Sequence, residues 1–206
     1  LVNRKDSRTL PDDALIALAR EGDTIAFAEL VRRYEETVYR FSLKLCRDRG
    51  QAEETLQDTF INVFRKLKSF DGRSKFTTWL YAIVANNCLM KRRRRKLAEL
   101  EDPLEVLDSP ATDEDGRFVR HVARWEQTPV DIMLDKELKK VLEDAMDGLP
   151  KLYRAVFALR DMEGKTSEET AEILNISVEA VKSRLRRARA FLRDALSPYM
   201  ETHHKG

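Results

Sequence analysis

Apolar residues recur three and four positions apart through almost the whole chain, and no run alternates residue by residue as a half-buried strand would. Phe27, Leu30, Val31, Tyr34, Val38, Phe41 and Leu45 make one broad helical face, and Leu56, Phe60, Val63, Phe64 and Leu67 make another. Helix boundaries are written beside these faces. Asp12 or Asp13 can cap a short helix carrying Leu15, Ile16 and Leu18, which Gly22 ends, and Asp23 can cap the next. A third helix is predicted from about Gln51 to Leu67. The stretch Phe70 to Lys75 (FDGRSK) reads as a loop by its Asp-Gly pair and serine. A fourth helix starts near Thr77 and continues through Trp79, Leu80, Ile83 and Val84. The expected fold is all-α.

The period fails from about residue 97 to residue 130. Prolines 103, 110 and 129 and the cluster Asp113-Glu114-Asp115 mark a linker there, with Phe118, Val119, Val122 and Trp125 as one short apolar stripe. The chain therefore divides into a helical domain over 10–96, an acidic linker over 97–130 and a second small helical domain over 131–200. In the second domain an amphipathic helix over 131–147 stops at Gly148, and Pro150 opens another that runs to Gly164. Thr166 with Glu169 forms a capping box, Asn175-Ile176-Ser177 a tight turn, and Ser177 caps a long basic helix. A short helix, a three-residue turn and a long basic helix constitute a helix-turn-helix.

The net charge of +2 says little, but its distribution is informative. Residues 91–96 read KRRRRK. Between Leu97 and Asp135 eleven acids face three arginines, and from Lys182 to Arg193 there are six basic residues and no acid. Two basic blocks thus flank an acidic middle, which points to nucleic acid. On the last helix Val181, Leu185 and Ala188 form the buried stripe. The opposite side presents Glu179, Lys182, Ser183, Arg186 and Arg187, beginning beside Ser177. Its first turns suit a major groove, where Lys or Arg donates to guanine and Glu accepts from cytosine. A solvated basic face of a bundle helix would present the same pattern. In the first domain Phe70, Phe76, Trp79 and Tyr81 interleave with Arg73, Lys75 and the basic run. Aromatic faces beside cations hold unpaired bases and phosphates, and Ser74, Thr78, Asn86 and Asn87 offer polar groups for a base edge. The helical spacing of Phe76, Trp79, Leu80 and Ile83 also fits a core.

Other chemistry finds little support. Cys46 and Cys88 lie far apart in apolar helical patterns, as reduced core thiols do. His121, His203 and His204 form no metal-ligand set, and the carboxylates cluster in the linker rather than at ligand spacing. No catalytic residue, metal site, cofactor or small-molecule substrate is expected. No run approaches the ~20 apolar residues of a membrane span, and no signal peptide is visible, so no membrane insertion and a cytoplasmic location are expected.

Three blocks in order resemble the extracytoplasmic-function sigma factors of bacteria. DALIALAREGDTIAFAELVRRYEETVYRF is similar to the opening of that family's first domain. AEETLQDTFINVFRKLKSFDGRSKFTTWLYAIVANNCLMKRRRR is similar to its core-binding helix and −10 segment, including the Thr78-to-Asn86 run. LPKLYRAVFALRDMEGKTSEETAEILNISVEAVKSRLRRARAFLRDAL is similar to its −35-reading domain. The resemblance implies a transcription initiation factor with no chemistry of its own, partnered by core RNA polymerase and promoter DNA. Asp58, Phe60, Ile61, Asn62, Val63, Phe64 and Lys66 would then meet the coiled coil of the polymerase's largest subunit. Arg73, Ser74, Lys75, Phe76, Trp79, Asn86, Arg92 and Arg93 would hold the melted −10 strand. Ser177, Glu179, Lys182, Ser183, Arg186 and Arg187 would contact the −35 element. The family also implies a dedicated anti-sigma factor and a linker threading toward the polymerase active centre. The competing reading is a conventional dimeric helix-turn-helix regulator, which requires a dimer seam or ligand cavity.

Overall fold

The computed structural model describes residues 4–96 and 136–203, with side chains over 6–89 and 140–199. The acidic linker, its Phe118-to-Trp125 stripe and the predicted helix start at 131 lie outside the described residues. Every described element is helical. The first domain comprises α1 (Arg4–Ser7), α2 (Asp12–Arg20), α3 (Thr24–Cys46), α4 (Arg49–Lys66), a 3₁₀ turn over Leu67–Ser69, and α5 (Phe76–Lys96). The second comprises α6 (Lys136–Gly148), α7 (Lys151–Phe157) continuing as a π-helical turn over Ala158–Met162, α8 (Ser167–Leu174) and α9 (Val178–His203).

The caps act largely where the sequence places them. The Asp23 carboxylate accepts from the backbone N–H groups of Ile25 (2.9 Å) and Ala26 (3.0 Å), tying down two donors that α3 itself leaves unpaired. Thr166 and Glu169 close their capping box in both directions. At α2 the structure differs: Pro11 occupies the cap position, and Asp12 and Asp13 lie in the first turn, where negative charge suits the helix dipole. The α3–α4 corner turns on Arg47, which is left-handed at φ 58°, and Asp48 then caps α4 through the Gln51 N–H at 2.7 Å.

Leu15, Leu30, Val38, Phe41, Val63, Leu80 and Val84 fill the first core, with the Phe41 and Tyr81 rings edge to face at 4.6 Å. Met146, Val156, Phe157, Val181 and Ala188 centre the second. The first core does not stop at the domain boundary: Ala155, Ala158, Leu159 and Ile173 of the second domain belong to it. Arg154, 6% exposed, fastens the join. Its guanidinium donates to the carbonyls of Asp147 (3.0 Å) and Leu149 (2.9 Å) in its own domain and of Leu45 (3.2 Å) in the other.

The two cysteines are neighbours in the fold. Cys46 closes α3 and Cys88 lies on α5, and the pair meets across 42 residues with Cα atoms 6.3 Å apart. Sequence distance said nothing of this, because helix packing rather than local spacing brings the pair together.

Glu29 is a buried charge of the first domain. Arg32 grips it with two hydrogen bonds (2.6 and 2.9 Å) and Arg33 with a third (3.1 Å), and Arg33 continues to Asp12 at 2.6 Å. The Arg32 hydrogen bonds foremost hold its carboxyl down at about 2, against burial, with Arg33 adding to them. A lowered carboxyl stabilises the fold above its ordinary range, and that stability is lost as pH falls toward about 2. Glu29→Gln should therefore cost about 2–3 kcal/mol in urea unfolding at neutral pH, and the variant and parent should converge as the pH approaches about 2.

Candidate nucleic-acid and polymerase interfaces

The −10 candidate is a loop set on an aromatic floor. Phe70, Phe76 and Trp79 pack mutually, with centroids 5.1 to 5.8 Å apart, and Tyr34 braces Phe76 from α3 at 5.3 Å. Gly72 takes φ +76°, a conformation that L side chains rarely adopt, and Asp71 then accepts the Arg73 N–H at 3.1 Å and pairs with its guanidinium. The Arg73 backbone N–H, ahead of its side chain, lowers the Asp71 carboxyl. Above the floor lies a cavity of about 430 Å³ lined by Ser69, Phe70, Asp71, Arg73, Ser74 and Trp79, together with Glu172 from α8. Flat aromatic walls with polar groups at the rim suit a single base.

The predicted −10 residues divide by depth. Arg73, Lys75 and Asn86 are exposed, and Ser74 and Trp79 are half-buried at the cavity. Phe76 is only 8% exposed and supports the floor from beneath. Arg92 and Arg93 ride the last turns of α5, and their side chains lie outside the described residues.

On α4 the exposure pattern revises the polymerase-facing set. Val63 is 1% exposed and belongs to the core, so it cannot meet a partner. Phe60 is half-buried against the same core. Asn62 donates to the Asn87 side-chain oxygen at 3.0 Å, and the Asn87 amide donates to the buried Thr59 hydroxyl at 3.1 Å. This network ties α4 to α5, and it makes Asn62 a lock between helices. Outward stand Ile61, 47% exposed, and Phe64, 59% exposed, beside exposed Lys66, with Asp58 half-buried. Two large apolar side chains three residues apart in water are unusual on a helix whose other apolar residues are buried or half-buried, and mark a candidate contact surface.

In the second domain α8, the turn Asn175-Ile176-Ser177 and α9 form the helix-turn-helix, with Asn175 left-handed at φ 51° and Ser177 accepting the Ala180 N–H at 3.1 Å. Val181, Leu185, Ala188 and Leu192 are buried as one stripe. Ser177, Glu179, Lys182 and Arg186 are exposed, with Lys182 and Glu179 paired at 3.1 Å. Ser183 and Arg187 are half-buried, and Arg187 donates to the Tyr153 hydroxyl at 3.3 Å within the domain.

Among the described residues no three metal-ligating side chains gather, and no helix is long and apolar enough to cross a membrane.

These features are those of a polymerase-borne specificity factor, and comparison with known proteins gives the family. Residues 30–98 match Sigma-70 region 2 and residues 139–192 match the Sigma-70 region 4 family. The chain is 34% identical over 195 residues to the ECF RNA polymerase sigma-E factor of Haemophilus influenzae, covering 93% of this chain and 98% of that one. It is 31% identical to the RNA polymerase sigma-H factor of Pseudomonas aeruginosa, over 92% and 95%. Among solved structures, CnrH in complex with the cytosolic domain of CnrY matches with TM-score 0.61 and 26% identity over 91% of this chain and 97% of that one. The sigma factor RpoE in complex with the anti-sigma factor NepR from Bartonella quintana matches with TM-score 0.60 and 26% identity, over 83% and 96%. The chain belongs to the extracytoplasmic-function sigma factors and is a transcription initiation factor.

Proposed function

We propose that this chain is an alternative sigma factor that docks on core RNA polymerase through the Ile61–Phe64–Lys66 face of α4. It brings the polymerase to promoters through two separate DNA contacts. The exposed side of α9 reads the −35 element, and the loop of residues 70–76 with Asn86 and the basic end of α5 holds the opened −10 strand. Catalysis lies with the polymerase, and the chain works beside it in the cytoplasm. The likeness to sigma factors solved with CnrY and NepR supports control by an anti-sigma factor.

The observation that carries this reading is the exposure of Ile61 and Phe64 on the helix that leads directly into the aromatic-floored loop. A surface for a large protein partner and a surface for unpaired bases then sit on consecutive elements. Each DNA contact alone is weak, and carriage on one polymerase makes them act together. Size-exclusion chromatography tests it: the chain should elute as a monomer alone and co-elute with core polymerase. A stable homodimer that binds palindromic duplex DNA without polymerase would establish the conventional regulator instead.

The structure also separates two neighbouring arginines. Arg186 is exposed on α9, whereas Arg187 is half-buried and donates to the Tyr153 hydroxyl. Arg186→Ala should weaken promoter binding by about 1–3 kcal/mol and relax preference at a single −35 position, as measured by competition among promoter variants. A uniform loss across all variants would make Arg186 a phosphate contact.

A further inference from the structure

The floor of the base cavity has a support that reaches well outside the −10 loop. Phe76 packs under Trp79 with ring centroids 5.8 Å apart and does not itself line the cavity. Tyr34 of α3 meets Phe76 edge to face at 5.3 Å, with the ring planes at 63°. The Tyr34 hydroxyl donates to one oxygen of the Asp12 carboxylate, in the first turn of α2. The other carboxylate oxygen accepts from the Arg33 guanidinium at 2.6 Å. Arg33 is itself anchored, donating to the carbonyls of Arg8 (3.0 Å) and Leu10 (2.8 Å) and to Glu29 (3.1 Å). Two consecutive residues of α3 thus grip one carboxylate, and that carboxylate pins the ring that braces the floor. Burial foremost, then the Asp12 hydrogen bond, pushes the Tyr34 hydroxyl above its ordinary value, so it keeps its proton and donates at neutral pH.

Packing alone does not call for this tether. A phenylalanine at position 34 would fill the same half-buried place and offer the same ring edge. The hydroxyl adds direction, because a ring fixed at its far end cannot rock against Phe76. We propose that Asp12 and Tyr34 are positioning residues for −10 strand capture: they act by holding Phe76, and through it Trp79, in the plane on which an unstacked base lies. This role rests on the assignment of the 70–76 loop and Trp79 to −10 reading. A binding constellation works only when its groups are held within about 0.5 Å of the productive arrangement by residues whose own rotamers are locked. Asp12 and Tyr34 supply that lock from α2 and α3. Neither residue belongs to α4, which carries Ile61 and Phe64, so the tether serves strand capture and leaves polymerase docking alone.

The test uses the full chain. Tyr34→Phe keeps the ring and removes the tether, Asp12→Ala removes the acceptor, and Asp12→Asn keeps an oxygen to which the hydroxyl can donate. In a Trp125→Phe background Trp79 is the one tryptophan, so acrylamide quenching of the free chain reads the floor directly. Open complexes with core polymerase are scored by permanganate footprinting on a promoter selected from a library. Tyr34→Phe and Asp12→Ala should make Trp79 easier to quench and cut open complexes by about five- to tenfold, the effect of one lost hydrogen bond, with core-polymerase affinity unchanged. Asp12→Asn should restore most of the loss seen in Asp12→Ala. Open complexes at the parental level in Tyr34→Phe overturn the proposal, whatever the quenching. So does a loss matched by an equal loss of polymerase affinity, or an Asp12→Asn chain no better than Asp12→Ala. Asn86→Ala separates this from the assignment beneath it. If Asn86→Ala blocks opening and Tyr34→Phe does not, the tether alone is wrong; if neither affects opening, the −10 assignment falls as well.

Discussion

Phe64→Asp should abolish tight binding to core RNA polymerase while leaving the fold intact. The Phe64 side chain is 59% exposed, and its ring meets Phe27 edge to face at 5.1 Å. Removing it therefore opens no cavity in the core, which Val63 of the same helix and Leu67 of the 3₁₀ turn after it help to fill. Ile61, one turn earlier, extends the same apolar patch. A buried aromatic anchor in a protein interface is commonly worth about 2 kcal/mol or more, and a carboxylate in its place adds a desolvation penalty. The affinity of labelled chain for core polymerase should fall by about 30-fold or more, with the thermal midpoint shifted by only a few degrees. Val63→Asp, by contrast, should unfold the first domain, because that position is buried. Unchanged polymerase binding by a folded Phe64→Asp chain would remove α4 from the interface.

Asn86→Ala should block promoter opening without weakening polymerase binding. Asn86 is exposed on α5, one residue before Asn87, whose amide is held by Thr59 and Asn62. That lock fixes the rotation of α5 and so keeps Asn86 facing outward, where the proposed strand would pass. A side-chain amide that pairs with an unstacked base edge is worth about 1–3 kcal/mol, so open complexes should fall by roughly one to two orders of magnitude in permanganate footprinting. A promoter supplied already melted should recover part of the loss. Trp79→Ala is a poorer probe: Trp79 packs against Phe70 at 5.1 Å and Phe76 at 5.8 Å, so its removal unsettles the floor along with any base contact. Loss of polymerase binding by Asn86→Ala would contradict this division of labour.

The helices and the helix-turn-helix were legible because each is local: a period of apolar residues, a cap, a turn residue. Asp23, Thr166 and Ser177 show this, each accepting from a backbone N–H within three residues. Which of two adjacent apolar residues faces the core was not legible. Val63 and Phe64 share one stripe, and only the arrival of α5 and α3 decides that Val63 is covered and Phe64 is not. Asn62 and Arg187 read as surface groups for the same reason, since their partners Asn87 and Tyr153 lie 25 and 34 residues away. The seam between the domains left no mark at all. Lys44, Tyr81 and Glu163 are ordinary residues in their own segments, and Lys44 and Glu163 are 119 residues apart.

The account stands most directly on transcription in vitro. Core RNA polymerase with this chain should initiate at discrete start sites on a promoter library, selecting templates by two motifs at fixed separation and yielding no such transcripts without the chain. Initiation that is indifferent to the chain, or dependent on a single palindromic site bound by a dimer, would contradict it.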